Sequence, residues 1–238
     1  SAFSASQIGT MSGKTTASLS SAQIAGLSAS QAGALSTAQI GALTTQQAAA
    51  ISVTTAASLS EAQTKAFSSP ALDAMAAKTF QALDATKLST TQVAGLTKAV
   101  ANFSASQMAS LSDSQLGAFS KQQMASLNAT EVAALSAAQT KTLTTTQISG
   151  LTAAGLSALT TADIKALTSE QVAAFSATAM AGLTAAQTTA LSTGQVAALS
   201  AAQLGAMSKT AMAALSTDQT RAITSAVLNG LSTTALAA

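Results

Sequence analysis

The most informative feature of this sequence is what it lacks: its 238 residues include no cysteine, histidine, tryptophan or tyrosine. The absence of cysteine removes disulfides and thiolate metal sites. The absence of histidine removes Ser–His nucleophiles and imidazole ligands. Without tyrosine and tryptophan, the usual stacking platforms for unpaired bases are also missing. We therefore expect no enzyme, no cofactor and no metal site.

Charge is also scarce. Charged residues make up 8% of the chain, against about 25% in ordinary domains. The 10 basic and 8 acidic side chains form no patch for nucleic acid. The nearest acidic pair in the sequence, Asp163 and Glu170, is expected to be solvated surface charge. No run approaches the roughly 18 apolar residues of a membrane span, so no membrane insertion is expected.

Most of the chain consists of residues with small or medium side chains in a repeating pattern. Apolar residues make up 48% of it, mostly alanine and aliphatic side chains, and most of the rest is Ser, Thr, Gln and Gly. Such a composition is typical either of a disordered low-complexity chain or of a regular repeat. Disorder goes with low hydrophobicity and high net charge, whereas this chain has a net charge of +2. The composition favours an ordered repeat.

The repeat is eight residues long, as in LSSAQIAG from Leu19 and LSTAQIGA from Leu35. We number its positions as slots one to eight. Slot one recurs every eight residues from Phe3 to Leu83, then at Leu88 and Leu96, and again every eight residues from position 103 to 231. Each of these 30 positions holds Leu, Ile, Met or Phe. Slot six is apolar or Thr, and slots seven and eight are mostly Ala or Gly.

Slots two and five form the signature of a helix start. Slot two is Ser or Thr in 27 of the 30 repeats, and slot five is most often Gln. Ser or Thr followed three residues later by Gln or Glu is the capping box, which satisfies free backbone N–H groups at a helix N-terminus. The sequence therefore predicts a new short helix every eight residues, with the glutamines closing the caps.

The period also decides between folds. In one continuous helix eight residues advance about 800°, so slots one and six would spiral round the axis. In a strand they would point to opposite faces. Short helices separated by bends bring both slots to one inner side, and neighbours must stabilise helices this short. We predict an all-α solenoid of short capped helices. A β-solenoid stays as the alternative, and the number of helices per coil is left open.

The repeat changes register over residues 68–102, so we divide the chain into repeat regions 1–67 and 103–238 around this break, within one continuous domain. Pro70 at a plausible first helical position, apolar residues spaced by three or four, and Ala76 in place of a cap predict one longer helix over 70–86. The break holds charged residues that are either surface groups on an absorbed insertion or a contact with another subunit. The four predicted contact residues here are Asp73, Lys78, Asp84 and Lys87.

The unit Leu-Ser/Thr-x-x-Gln-Val/Ile-x-Ala, seen from Leu143 to Ile148 and from Leu191 to Val196, resembles octapeptide repeats of large secreted bacterial surface proteins of the adhesin-like type. The resemblance covers nearly the whole chain. It implies an extracellular or cell-surface location, and it transfers no site residues. The N-terminal sequence has no initiator methionine and no signal-peptide pattern. We therefore expect a processed chain or a piece of a longer one.

No repeat at either end is replaced by a polar capping unit. This predicts a structural subunit whose end coils stack head to tail on other copies, giving an extracellular filament or matrix fibre. The expected contacts at the ends are Phe3, Met11, Leu231 and Leu236. The main alternative is a stalk or spacer segment of a giant adhesin. A third class is a solenoid that binds surface glycans or ice through rows of Gln or Thr.

Overall fold

A computed structural model describes residues 3–231. Across these residues the chain is helical and contains no strand. The prediction of an all-α solenoid of short helices is confirmed, and the β-solenoid alternative is wrong. Internal contacts divide the chain into two compact halves, Ser1–Ala118 and Phe119–Ala238. The register break of 68–102 lies inside the first half.

Helices in the first half are five or six residues long, apart from two 3-10 turns. The α-helices are α1 (Ala5–Thr10), α2 (Gly13–Ala17), α3 (Ser21–Ala25), α4 (Ala29–Gly33), α5 (Thr37–Gly41), α6 (Thr45–Ala49), α7 (Val53–Ala57), α8 (Glu61–Ala66), α9 (Ser69–Ala74), α10 (Ala77–Gln81), α11 (Thr90–Gly95), α12 (Ala105–Ser110) and α13 (Asp113–Gly117). The 3-10 helices are Ala85–Lys87 and Ala99–Asn102.

The described part of the second half has helices of four to six residues. They are α14 (Lys121–Ser126), α15 (Ala129–Ala133), α16 (Ala137–Thr142), α17 (Thr145–Ile148), α18 (Ala153–Ala158), α19 (Thr161–Ala166), α20 (Ser169–Ala173), α21 (Ala177–Met180), α22 (Ala185–Ala190), α23 (Thr193–Ala197), α24 (Ala201–Ala206), α25 (Lys209–Ala213), α26 (Thr217–Ala222) and α27 (Ser225–Asn229).

Each helix is short because slots one and two are extended. Leu111 ends α12 with φ −63° and ψ 136°, and Ser112 begins α13 with φ −71° and ψ 160°. Two extended residues in a row turn the chain between helices. No residue in the described range has a positive φ, so the bends need no left-handed glycine.

Three consecutive helices form one coil in each half. In the first half α1 packs against α4, and α2 packs against α5. In the second half α15 packs against α18, and α16 packs against α19. This spacing of three, left open by the sequence, corresponds to 24 residues per coil where the repeat is regular.

Slots one and six form the core. Within the first half Leu35 is 5% exposed and Ile40 is 2% exposed. In the second half Leu167 and Val172, in the same two slots, are 4% and 2% exposed. Slots three and four lie mostly on the solvent side. The predicted placement of slots one and six on a common inner side is confirmed.

The longer helix predicted over 70–86 is wrong. Met75 ends α9 in an extended conformation, with φ −66° and ψ 143°, and α10 begins two residues later. One continuous helix would turn Leu83 about 80° away from Met75. Two short helices bury both side chains, at 4% and 2% exposure. The three-to-four spacing of apolar residues fits both one long helix and two short ones. The burial of both side chains favours the two short helices.

The shortened repeats are closed by 3-10 helices. The repeat from Leu83 has five residues and contains Ala85–Lys87, and the repeat from Leu96 has seven and contains Ala99–Asn102. A 3-10 helix rises about 2.0 Å per residue against about 1.5 Å in an α-helix, so fewer residues span the same side of a coil. The coil therefore keeps three helical segments through the break, as the packing of α10 on Ala99–Asn102 shows.

No helix among the described residues is long and apolar enough to cross a membrane.

Candidate functional site: hydrogen-bonding rows between coils

The slot-two and slot-five side chains form the predicted capping boxes. In α3 the Gln23 backbone N–H donates to Ser20 Oγ at 3.2 Å, and the Ser20 N–H donates to Gln23 Oε1 at 2.7 Å. The same reciprocal pair recurs in both halves, for example at Ser112 with Gln115 and at Ser192 with Gln195. This role of the glutamines is confirmed.

The glutamine amide nitrogen has a second role that the sequence reading missed. Gln195 Nε2 donates to the carbonyl oxygens of Ile164 and Leu167, both at 2.8 Å. These acceptors lie 31 and 28 residues earlier, in α19 and at its C-terminal end, directly before α20, on which α23 packs. We call such residues ladder glutamines. Others that reach carbonyls both 27–31 and 24–28 residues earlier are Gln39, Gln47, Gln63, Gln92, Gln107, Gln115, Gln187, Gln203 and Gln219.

These amides are buried. Gln39 is 1% exposed and Gln187 is 2% exposed. Each amide therefore bonds three or four backbone groups inside the coil stack, among them a slot-one carbonyl, such as that of Leu159, that accepts no backbone N–H in the described range. A glycan- or ice-binding surface needs exposed amides, so the ladder glutamines do not supply one.

Other slot-five donors make the same contact with a slot-one carbonyl 28 residues earlier. Thr55 Oγ1 donates to Leu27 O at 3.1 Å, and Thr79 Oγ1 donates to Ile51 O at 3.2 Å. Lys87 Nζ donates to Leu59 O at 3.0 Å. Amides, hydroxyls and an ammonium group at slot five can thus all reach the preceding coil, although some repeats, such as those with Gly155 and Ala179, have no side-chain donor there.

Among the predicted contact residues of the register break, Asp73 makes the most bonds within its own half. Its carboxylate accepts from the backbone N–H groups of Thr97, Lys98 and Ala99, at 2.8–3.0 Å, and from the Thr97 hydroxyl. Asp73 thus caps the 3-10 helix Ala99–Asn102, which has no side-chain cap of its own. It joins α9 to a segment more than 20 residues later.

The other three break residues differ in their surroundings. Asp84 accepts from the Thr86 hydroxyl at 2.6 Å, and this bond lowers the pKa of its carboxyl. Lys87 lies 3.7 Å from Asp84 in addition to its bond to Leu59. Lys78 is exposed. Contact of these residues with another subunit stays a prediction.

Replacing Asp73 by alanine is expected to destabilise the break locally. Three backbone N–H groups lose their acceptor, although partial exposure lets water replace it, so the expected loss is about 1–2 kcal/mol. Amide hydrogen exchange at Thr97, Lys98 and Ala99 measures this directly and should accelerate. The matched control is Asp113→Ala in the first turn of α13, which should leave those amides protected. Unchanged exchange in Asp73→Ala would contradict the capping role.

The first coil, residues 3–26, leaves its N-terminal side uncovered. Phe3 is 46% exposed, and Met11 and Leu19 are partly exposed, although slot one is buried from Leu35 to Met207. Gln7 and Gln23 close their capping boxes, but within residues 3–231 their Nε2 atoms have no acceptor. This side offers amide donors beside slot-one side chains.

The last described repeats leave their own C-terminal side uncovered. Slot six is buried throughout the regular coils, but Met212 is partly exposed, Thr220 is exposed and Leu228 is 37% exposed. Within the described range, the carbonyl oxygens of Leu215 and Leu231 accept no hydrogen bond. Leu231 is partly exposed, and the predicted contact Leu236 lies outside the described residues.

A groove of about 730 Å³ opens in the second half beside Gly150. Of the side chains that line it, Lys121 is the one that carries a charge. No group of three or more His, Cys, Asp or Glu side chains that could hold a metal ion occurs in residues 3–231.

Residues 16–45 match the family model of the ALTTAQ repeat. This segment is similar to that family, and together with the regular helical coils it supports a repeat structural protein. No curated protein sequence and no solved structure matches the chain. The adhesin-like setting stays a prediction.

Proposed function

We propose that this chain is a structural, non-catalytic subunit that assembles with itself by head-to-tail stacking of its end coils. The observation that carries the proposal is the pairing of chemistry at the two uncovered sides. Within residues 3–231, one side offers amide donors without an acceptor, and the other offers backbone carbonyls without a donor. These are the two partners that join successive coils inside the molecule.

The hydrogen-bond register is specific. Inside the first half, Gln39 reaches carbonyls 28 and 31 residues earlier. These are a slot-six carbonyl four repeats earlier and a slot-one carbonyl three repeats earlier. If a second copy continues the repeats of the first, its Gln7 Nε2 meets Met212 O and Leu215 O by the same rule. Its Gln23 Nε2 correspondingly meets the carbonyls of Leu228 and Leu231. The ladder then continues from copy to copy with the same geometry as within one chain.

The apolar side chains are complementary in the same direction. Inside the regular coils of each half, slot-one and slot-six side chains are both buried. The first coil exposes slot-one residues such as Phe3, and the last described repeats expose slot-six residues such as Leu228. The two surfaces differ from each other, so the contact is heterologous. A heterologous contact that does not close produces a filament.

Electrostatic repulsion does little to oppose the stacking of two copies. Lys14 is the single charged residue of the first coil, and Asp218 and Arg221 lie 3.7 Å apart in α26. Sparse charge means little repulsion between copies. The extracellular location rests on the resemblance to secreted surface proteins, and binding of surface glycans rests on that resemblance and on the exposed hydroxyls.

The test is the double variant Gln7→Glu with Gln23→Glu. Glutamate keeps the acceptor of the capping box, as Glu131 does with the Asn128 N–H, but it removes the amide donor and adds a charge at the stacking surface. We expect the parent to form fibres at micromolar concentration. The variant is expected to stay as discrete particles in electron microscopy and sedimentation.

The matched control is Gln46→Glu with Gln122→Glu, two exposed slot-four glutamines with the same change in net charge. It should form fibres like the parent. A parent that stays discrete under all conditions would favour the stalk segment of an adhesin instead. Fibres that form equally well from the Gln7/Gln23 variant would show that the end coils do not mediate assembly.

A further inference from the structure

Glu131, at slot five of the repeat that begins at Leu127, is a buried carboxyl with one oxygen unpaired. The side chain is 1% exposed. Its Oε2 atom accepts from the Asn128 N–H at 2.7 Å and so completes the capping box of α15. Its Oε1 atom is buried and has no hydrogen-bond partner. An orphaned buried charge is among the most destabilising features of a folded chain.

Two other repeats show how a polar side chain buried at this position can be paired. A ladder glutamine such as Gln195 places an N–H donor there, because the groups it meets are backbone carbonyls. Asp163, another acidic residue at slot five, has donors at both carboxylate oxygens. Its Oδ2 accepts from Thr160, and its Oδ1 accepts from the Thr140 hydroxyl at 3.4 Å, so both oxygens face donors. Glu131 has no such hydroxyl at Oε1, which is left without a donor.

The charged side chains on neighbouring helices of the second half do not stabilise a negative charge on Glu131. The helix α18, which packs on α15 within the second half, carries no titratable side chain. Lys121 in α14 and Lys141 in α16 are exposed to solvent. Burial raises the pKa of the Glu131 carboxyl, and the hydrogen bond from Asn128 opposes that rise only in part.

We propose that Glu131 makes the stability of the repeat array depend on pH: protonated at Oε1 it is a neutral buried group that can donate, and ionised it is a buried charge with one oxygen that has no donor. One proton binds and leaves, and no other bond changes. The inference is independent of assembly, since it concerns the folding of a single chain.

The sign follows from linkage. The folded carboxyl holds its proton to higher pH than the unfolded one, so the unfolded state loses protons first as pH rises. The stabilisation is complete below the ordinary glutamate range and is lost as pH rises through the raised folded value. Asparagine or glutamine at the same place would not titrate at all.

Glu131→Gln tests this in the full chain. The variant is uncharged and carries an N–H donor at every pH, so its Tm should exceed that of the parent by roughly 5 °C near pH 8. The difference should shrink to roughly 1 °C near pH 4, where the parent carries its own proton. Asp163→Asn is the matched control, because both Asp163 oxygens already have donors. It should gain nothing in Tm near pH 8.

A direct titration gives an independent readout. The chain has three glutamates, Glu61, Glu131 and Glu170, so ¹³C-labelled glutamate yields three carboxyl signals, and the signal missing in Glu131→Gln is assigned. We expect that signal to titrate above the ordinary range. A Glu131 signal that titrates at or below that range, or a Tm difference that is the same at both pH values, would overturn the proposal.

Discussion

Gln195→Glu is expected to destabilise the second half by about 3 kcal/mol or more at neutral pH. The substitution is nearly isosteric, and a glutamate oxygen can still accept from the Ser192 N–H as Gln195 Oε1 now does at 2.7 Å. What changes is the other end of the side chain. Two carbonyl oxygens, of Ile164 and Leu167, lose their donor and instead face a buried negative charge. Urea unfolding measures the loss, which should diminish in acid as the new carboxyl is protonated.

Gln23→Glu is the matched comparison, since it occupies the same slot and closes the same capping box with Ser20. Its amide is exposed and has no acceptor in the described range, so the change should lie within about 0.5 kcal/mol. A helix N-terminus also favours the added negative charge. If the two variants lost equal stability, the bonds between coils would not be the main contribution of the ladder glutamines.

Gly182→Ala is expected to cost about 3 kcal/mol, the upper end of the range for overpacking. A Cβ atom on Gly182 would overlap the backbone carbonyl of Ala153, on the neighbouring helix α18. Because the obstacle is backbone, no change of side-chain rotamer relieves the clash. The backbone of Gly182 itself is unstrained, with no positive φ, so the requirement for glycine comes from contact alone. Thermal unfolding should show a clear drop in Tm, and hydrogen exchange should place the loss at α18 and α21.

Gly117→Ala provides the opposite expectation. Gly117 ends α13, and a Cβ there would meet nothing within 4 Å. Alanine removes backbone freedom from the unfolded chain, so this variant should gain about 0.5–1 kcal/mol. A loss in both variants would mean that general glycine effects, rather than close approach of helices, account for Gly182.

The sequence alone predicted the contacts that form within a single repeat. Ser20 and Gln23 predict their capping box because both partners lie within one turn of chain, where spacing determines contact. Leu35 and Ile40 predict a shared inner side because an eight-residue period excludes one straight helix. These inferences succeed since each depends on groups no more than eight residues apart.

The contacts between coils, which join groups about 24 to 31 residues apart, became known only from the tertiary structure. It showed three helices per coil, the second role of Gln195 and the cap that Asp73 provides to a distant segment. It also separated Gly182 from Gly117, and Glu131 from Asp163, although each pair looks similar in sequence. The physical reason is that capping is a contact along the chain, whereas an orphaned carboxyl or a blocked Cβ is defined by whatever the next coil places beside it.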